Sequence, residues 1–172
     1  MNVRFIDTSI LLNLLEVPNM SSDAHTVKKE WKKVLEKNEL LIMPAATIIE
    51  TGNHIAHIAE GNVRRSIAGK FGEYLKRTAN NDVPWKLYNS KSMDRQGLLY
   101  LADHVEEFST CKIGLGDLSI IYDYNQYRET VPAIGSIMIW STDEHLKSYH
   151  EENISIMRRR KHRCDNDTGE ER

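Results

Sequence analysis

The sequence predicts a single α/β domain built on a central, mostly parallel β-sheet. Three observations lead to this prediction. The chain has 172 residues, and its hydrophobic fraction of 40% and charged fraction of 28% suit one soluble domain with one core. Short apolar runs alternate along it with longer segments whose apolar residues recur every three or four positions. Strands that alternate with helices in this way form parallel sheets with helices on both faces.

The predicted strands are apolar runs of four or five residues. They span residues 3–6, 40–43, 84–88, 136–140 and 154–157. The first ends at Asp7, and Pro44 stops the second, because proline has no N–H to donate to a sheet. The last of these is predicted to be a short strand at the end of the domain.

The predicted helices connect these strands. They span residues 9–15, 45–60, 62–79, 93–108, 117–127 and 144–149, together with a segment that opens at residues 22 and 23. Ser9 is expected to cap the first, and Gly114 and Gly116 to break the chain before Asp117. The apolar face of the segment after residue 23 comprises Val27, Trp31, Val34 and Leu35. The inward stripe of helix 45–60 comprises Ile48, Gly52, Ile55, Ala56 and Ala59.

The C-terminal residues 158–172 read RRRKHRCDNDTGEER and contain almost nothing that a core would bury. They are therefore predicted to form a flexible charged tail. The folded domain is predicted to span residues 1–157.

Composition excludes several classes of protein. The formal net charge of −2 gives no overall basic surface for tracking duplex DNA. The N-terminal sequence MNVRFIDTSILLNLLE lacks the pattern of a signal peptide, and no run approaches the ~18 apolar residues of a membrane span, so we expect no membrane association. The two cysteines, Cys111 and Cys164, stand in unlike contexts, which indicates no disulfide framework and a cytoplasmic location.

Four acids occupy positions where such a sheet gathers side chains, because ligands bind beyond the carboxyl ends of parallel strands. Asp7 ends the first strand, and Asp143 follows the strand 136–140. Asp117 begins a helix after a glycine-rich turn, and Glu50 lies in the helix that leaves the second strand. Glu50 is about 200° around that helix from Ile48, so it points away from the apolar stripe.

Converging carboxylates suit a hard divalent cation. Mg²⁺ and Mn²⁺ prefer oxygen ligands, and the ions activate water for attack on phosphorus. Each acid also has a structural interpretation: Asp7, Asp117 and Asp143 can each cap or favour a helix N-terminus, and Glu50 can be an exposed side chain. Their joint placement, rather than any single acid, predicts a metal site.

The segments that carry these acids resemble the PIN-domain family, and most nearly its bacterial and archaeal toxin branch, the VapC type of toxin–antitoxin systems. They read FIDTSILLNLL, PAATIIETGN, GLGDLSII and IMIWSTDEHL, and the resemblance covers about residues 1–157. The family places acidic metal ligands in these segments. The resemblance therefore implies that the four acids are catalytic metal ligands, and that Thr8 and Ser141 support them.

The resemblance implies a three-layer α/β/α PIN-like fold and Mg²⁺- or Mn²⁺-dependent endoribonuclease activity on RNA phosphodiesters. It further implies a homodimer and, for the toxins, inhibition by a cognate antitoxin protein. The stretch 62–88 is longer here than in the compact toxins, so the toxin role is a separate expectation from the fold.

Other functions remain open at this stage. The chain is alternatively a catalytically silent PIN-fold module that binds protein or RNA, or a nuclease acting on DNA. Glu50, His54 and His57 share a helical face and form an alternative transition-metal site, which we rank below the carboxylates. His145 follows Asp143 closely and is interpreted as a surface residue by default.

Further residues have structural interpretations. Asp123 lies about 240° around its helix from Asp117 and is set aside, as is Asp103, which belongs to an exposed acidic face. The tryptophans are predicted to pack in or beside the core; they are Trp31, Trp85 and Trp140. A basic helical face is interpreted as ordinary exposed surface, with RNA or antitoxin binding as the alternative; it comprises Arg64, Arg65, Lys70, Lys76 and Arg77.

Overall fold

A five-stranded sheet forms the centre of the computed structural model, which describes residues 1–152. The strands are β1 (Asn2–Ile6), β2 (Leu40–Ile42), β3 (Trp85–Lys86), β4 (Ser136–Trp140) and β5 (His150–Glu152). Their order across the sheet is β3-β2-β1-β4-β5. The first four are parallel, and β5 runs antiparallel to β4. The prediction of an α/β fold with a mostly parallel sheet is confirmed.

Seven helices occur within residues 1–152. They are α1 (Thr8–Leu15), α2 (Ala24–Glu36), α3 (Ala45–Ala56), α4 (Gly61–Asn80), α5 (Arg95–Thr110), α6 (Leu115–Thr130) and α7 (Glu144–Lys147). None of the helices in this range is long and apolar enough to cross a membrane.

Helices cover both faces of the sheet because successive strand side chains point to opposite sides. Val3 and Phe5 of β1 belong to an apolar cluster with Ile120 and Tyr124 of α6. Ile6 belongs to the other apolar cluster, which gathers side chains from the first four helices. The three tryptophans pack in this second cluster as predicted, with Trp85 and Trp140 buried and Trp31 half-buried.

One charged side chain interrupts the apolar run of β1. Arg4 is 8% exposed, and its guanidinium donates to Glu39 and to Glu30, each at 2.5 Å. Its Cζ also lies 5.2 Å from the ring centroid of Trp140. The strand tolerates this charge because two carboxylates and an aromatic face surround it.

Several predicted boundaries differ from the structure. α3 ends at Ala56 rather than residue 60, so Ile58 in the following turn is buried while Ala56 and Ala59 are exposed. Leu35 is also exposed, contrary to its predicted place on the inner face of α2. β3 has two residues instead of five, and α6 begins at Leu115 rather than residue 117.

Two predictions concern the C-terminal part of the chain. The strand expected at 154–157 and the tail 158–172 lie outside the described residues. The strand that pairs antiparallel with β4 is His150–Glu152, which follows the short helix α7 almost directly.

Candidate functional site

Asp7 lies where β1 passes into α1, at the centre of the carboxyl edge of the sheet. Its backbone N–H donates to the Trp140 carbonyl at 3.0 Å, which continues the β1–β4 pairing to the last residue of both strands. Its carboxylate caps α1, because it accepts from the Thr8 N–H at 2.6 Å and the Ser9 N–H at 3.3 Å. The structural interpretation of Asp7 as an N-cap is thus confirmed, and the expectation that Ser9 is the cap is wrong.

Hydroxyl groups hold the second oxygen of the Asp7 carboxylate. Ser9 Oγ donates to Asp7 Oδ2 at 2.6 Å, and Ser141 Oγ donates to the same atom at 2.8 Å. Asp7 is only 6% exposed, so these donors replace the water that its charge would otherwise attract. The result is a carboxylate with a fixed position at the strand end.

Ser141 also positions the loop that carries Asp143. The Asp143 N–H donates to Ser141 Oγ at 2.9 Å, and the Thr142 N–H donates to Ser9 Oγ at 3.0 Å. Asp143 in turn caps α7, since its Oδ1 accepts from the His145 N–H at 2.7 Å. One hydroxyl therefore connects the two acids that end neighbouring strands.

Glu50 approaches the site from α3. Thr8 Oγ1 donates to Glu50 Oε2 at 2.9 Å, which joins the first residue of α1 to the acid of α3. The other carboxylate oxygen lies against Gly116 of α6, where an added Cβ would stand 2.1 Å from Glu50 Oε1. No side chain fits between them, so the glycine permits the close approach of Glu50 to the start of α6.

Asp117 completes the group at the first turn of α6. Burial and the negative charges of Asp7, Glu50 and Asp143 together raise the pKa of Asp117 to about 6, while a hydrogen bond from the Gly114 backbone acts in the opposite direction. The pKa of Asp117 thus depends on the charges of all three other acids. The structure brings the four predicted residues to one edge of the sheet.

The four carboxylates influence one another electrostatically, but they do not form a complete set of metal ligands. Within residues 1–152, no three His, Cys, Asp or Glu side chains are close enough together to hold a metal ion as they stand. Nor does any lysine or arginine of that range form an ion pair with one of the four. Mutual repulsion of uncompensated carboxylates favours such an open arrangement.

The chemistry of the donors fits Mg²⁺ or Mn²⁺. All four candidate ligands offer carboxylate oxygen, which hard cations prefer over nitrogen or sulfur. The absence of a side chain at Gly116 lets Glu50 lie against the first turn of α6, the turn that also carries Asp117. The residues present therefore match an oxygen-coordinated divalent cation better than zinc.

The alternative site on α3 is not formed. The helix ends at Ala56, so His57 follows it and does not continue the face that holds Glu50. His57 is exposed, and its Nδ1 hydrogen-bonds to the Asn53 carbonyl at 2.7 Å. His54 and His57 instead line a cavity beside the α1–α2 connection, while Glu50 faces Thr8 and Gly116.

Two residues were undervalued by sequence reasoning. Asp123 is 1% exposed and accepts hydrogen bonds from residues 90–92, so it is a buried structural anchor. Gly116, predicted to break the chain before a helix, lies inside α6 and makes room for Glu50. A glycine one residue before an acid, inside a helical stretch, was the available signal of a close approach.

The remaining predictions concern exposed residues. Asp103 is exposed on α5, as expected for an acidic outer face. The five basic residues of α4 are exposed as well, and three of them have local partners: Arg64 donates to the Ile58 carbonyl, Lys76 pairs with Glu73, and Arg77 donates to the Val83 carbonyl. The interpretation of this face as ordinary surface agrees with these contacts.

Comparisons with known protein families, with curated proteins and with solved structures found no match.

Proposed function

We propose that this chain is a PIN-like, metal-dependent endoribonuclease that hydrolyses RNA phosphodiesters. The observation that carries the proposal is the raised pKa of Asp117, which burial and the charges of Asp7, Glu50 and Asp143 produce together. A half-buried acid that is close to the charges of three others is costly for folding, and such arrangements are typical of functional sites. Its position at the carboxyl edge of a parallel sheet is the position expected for a ligand site in this class of fold.

The residues of the site divide into ligands and supports. Asp7, Asp117, Asp143 and Glu50 would hold Mg²⁺ or Mn²⁺, directly or through water. When bound, the ion supplies positive charge that favours attack by water on phosphorus and stabilises the leaving oxygen. Thr8 orients Glu50, and Ser141 holds Asp7 and the backbone of Asp143 in register, so each hydroxyl restricts the carboxylates that it contacts.

One set of contacts favours a second function. Asp7 and Asp143 both cap helices, so these acids have structural roles that need no metal. A catalytically silent module that binds protein or RNA through this fold would keep the same caps. Asp117 and Glu50 have no such role in capping, and they therefore distinguish the two functions.

The proposal is tested by incubating the full chain with total cellular RNA in Mg²⁺, in Mn²⁺ and with a chelator. Asp117→Asn is the informative variant because the N-cap residue of α6 is Gly114, so the substitution removes no capping side chain. We expect discrete fragments that require metal, and a loss of about 100-fold in cleavage rate for the variant.

Asp103→Asn is the matched control, since it removes an exposed carboxylate from α5 and should cleave like the wild type. Absence of cleavage under every condition, with no metal binding by calorimetry, would favour the silent module instead. The expected homodimer, the cognate antitoxin and the cytoplasmic location are further parts of this proposal. A size measurement in solution and the search for a small neighbouring gene address the first two.

A further inference from the structure

A cavity of about 340 Å³ lies beside the proposed catalytic acids, between the end of α5 and the short helix α7. Phe108, Ile113 and Tyr149 give it an apolar and aromatic lining. Glu107, Glu144 and Ser148 add polar groups to the same lining. A pocket of this size, which combines an aromatic part with several polar groups, has the dimensions of a small-ligand site.

The walls of this cavity are continuous with the catalytic segments. Glu144 and His145 follow Asp143 directly, and Asp143 itself caps the helix to which they belong. On the opposite wall, Ile113 precedes Gly114, the N-cap of the helix that carries Asp117. A nucleotide whose phosphate lies at the acids would therefore have this cavity within reach of its base.

Hydrogen-bonding character narrows the choice of base. Glu144 is paired with Lys147 at 2.5 Å, whereas Glu107 forms no ion pair within residues 1–152. A free carboxylate offers two acceptor oxygens and no donor. Guanine presents two adjacent donors, N1–H and N2–H, on its Watson–Crick edge, and these match a carboxylate in a bidentate pair. Adenine and cytosine place a ring acceptor beside their amino group, and uracil flanks its single N–H with two carbonyls.

We propose that this cavity is a subsite for a guanine base of the RNA substrate, with Glu107 as the acceptor of its Watson–Crick edge. Phe108 and Tyr149 provide aromatic surface for the base, which is how proteins commonly hold unstacked bases of single-stranded RNA. The inference rests on the proposed ribonuclease function for its biological meaning. It nevertheless predicts binding of a nucleotide that is independent of cleavage.

Cys111 supplies a direct measurement of occupancy, because this exposed free thiol lines the cavity. In a full-length Cys164→Ser background it is the single cysteine of the chain. We would measure its rate of reaction with a thiol reagent in Mg²⁺, with each of the four nucleoside 5′-monophosphates added in turn. All four carry the same phosphate, so differences between them report the base.

We expect 5′-GMP to slow the reaction in a saturable manner, and the other three nucleotides to have little effect. Glu107→Gln should raise the concentration of 5′-GMP for half-protection by about tenfold, because the amide loses one of the two acceptors. Glu106→Gln is the matched control: it is an exposed neighbour on the same helix, outside the lining of the cavity, and should leave protection unchanged. Equal protection by all four nucleotides, no protection by any, or unchanged protection in Glu107→Gln would overturn the guanine subsite.

Mapping of RNA fragment ends separates this inference from the proposed function. The subsite predicts cuts at a fixed distance from guanine in the wild type and a broader distribution in Glu107→Gln. Cleavage without guanine preference, together with unprotected Cys111, would remove the subsite and keep the nuclease. Selective protection by 5′-GMP without any cleavage would keep the subsite and remove the nuclease.

Discussion

Two aspartates of α6 show opposite solutions to the burial of a negative charge. Asp117, in the first turn, and Asp123, six residues later, both have a pKa raised by burial. Around Asp123, hydrogen bonds from Ser90, Lys91 and Ser92 lower the pKa and offset part of that effect. Around Asp117, three further acids act in the same direction as burial. One end of the helix compensates its charge with donors, and the other adds more charge of the same sign.

The difference indicates what each end is for. Asp123 accepts from the Lys91 N–H at 2.7 Å and the Ser92 N–H at 3.1 Å, so it fixes a loop that has little regular structure of its own. That is a complete set of interactions, and it leaves nothing for a ligand. Asp117 lacks comparable donors, so its charge is relieved by protonation or by a bound cation, in keeping with the metal site proposed above.

The largest expected effect is a loss of stability, and it comes from substitution of Asp123. Asp123→Ala removes the acceptor of two backbone N–H groups and of two serine hydroxyls in the loop 90–92. Leaving these buried donors unpaired should lower the free energy of unfolding by about 3 kcal/mol. Urea denaturation followed by circular dichroism measures this loss, and Asp103→Ala on the exposed face of α5 is the control. A loss below that of the control would show that the loop does not depend on this carboxylate.

The second effect is a gain of stability, and it comes from substitution of an acid in the candidate site. Asp117→Asn should raise the free energy of unfolding by about 1–2 kcal/mol at pH 8 in chelator, after allowance for solvent screening. The folded-state pKa of about 6 lies above the unfolded value of 3.8, so the charged carboxylate opposes folding above pH 6. This penalty disappears as the pH falls from 6 toward 4, where the wild-type acid is protonated.

The pH dependence is the part of this result that a change in packing would not produce. Denaturation curves at pH 8 and at pH 4.5 should show a stability difference between Asp117→Asn and wild type that shrinks at the lower pH. A difference of the same size at both values would place the effect outside electrostatics. A destabilised variant at pH 8 would mean that Asp117 is structural, like Asp123.

The candidate site was more accessible to sequence reasoning than the structural anchor. Asp7 and Asp143 follow short apolar strands, and parallel strands bring their carboxyl ends to one edge, so local pattern and fold class sufficed to gather them. The bounds of β4 were also predictable, because its run of apolar residues is enclosed by polar ones. The position of a residue along a strand or helix was therefore enough to predict which acids lie at the edge of the sheet.

Asp123 and Gly116 required knowledge that the local pattern does not contain. Asp123 is explained by a loop about thirty residues earlier, which has no periodicity of its own. Gly116 is explained by Glu50, a side chain from another helix. The early end of α3 at Ala56 is also absent from the local pattern, since the histidine and the alanine that follow are compatible with a longer helix. Contacts between distant segments explain the first two.

The smallest expected change in stability comes from Gly116→Ala. This variant changes the position of the Glu50 carboxylate without removing a charge. The new Cβ would stand 2.1 Å from Glu50 Oε1, so the carboxylate must move away from position 116 of α6. Because the displaced atom is the end of a flexible side chain, and alanine favours a helix by about 1 kcal/mol over glycine, stability should change by less than about 1 kcal/mol.

Cleavage and metal affinity should nevertheless fall by about tenfold in Gly116→Ala, because a ligand oxygen is moved from its place. Gly69→Ala is the matched control, since this helical glycine of α4 has open space where a Cβ would lie and should gain helix propensity alone. A Gly116→Ala variant that matched Gly69→Ala in both stability and metal affinity would show that Glu50 works equally well from another position. Reduced metal affinity with undiminished stability would instead show that the close approach of Glu50 to α6 serves the site and is not required by the fold.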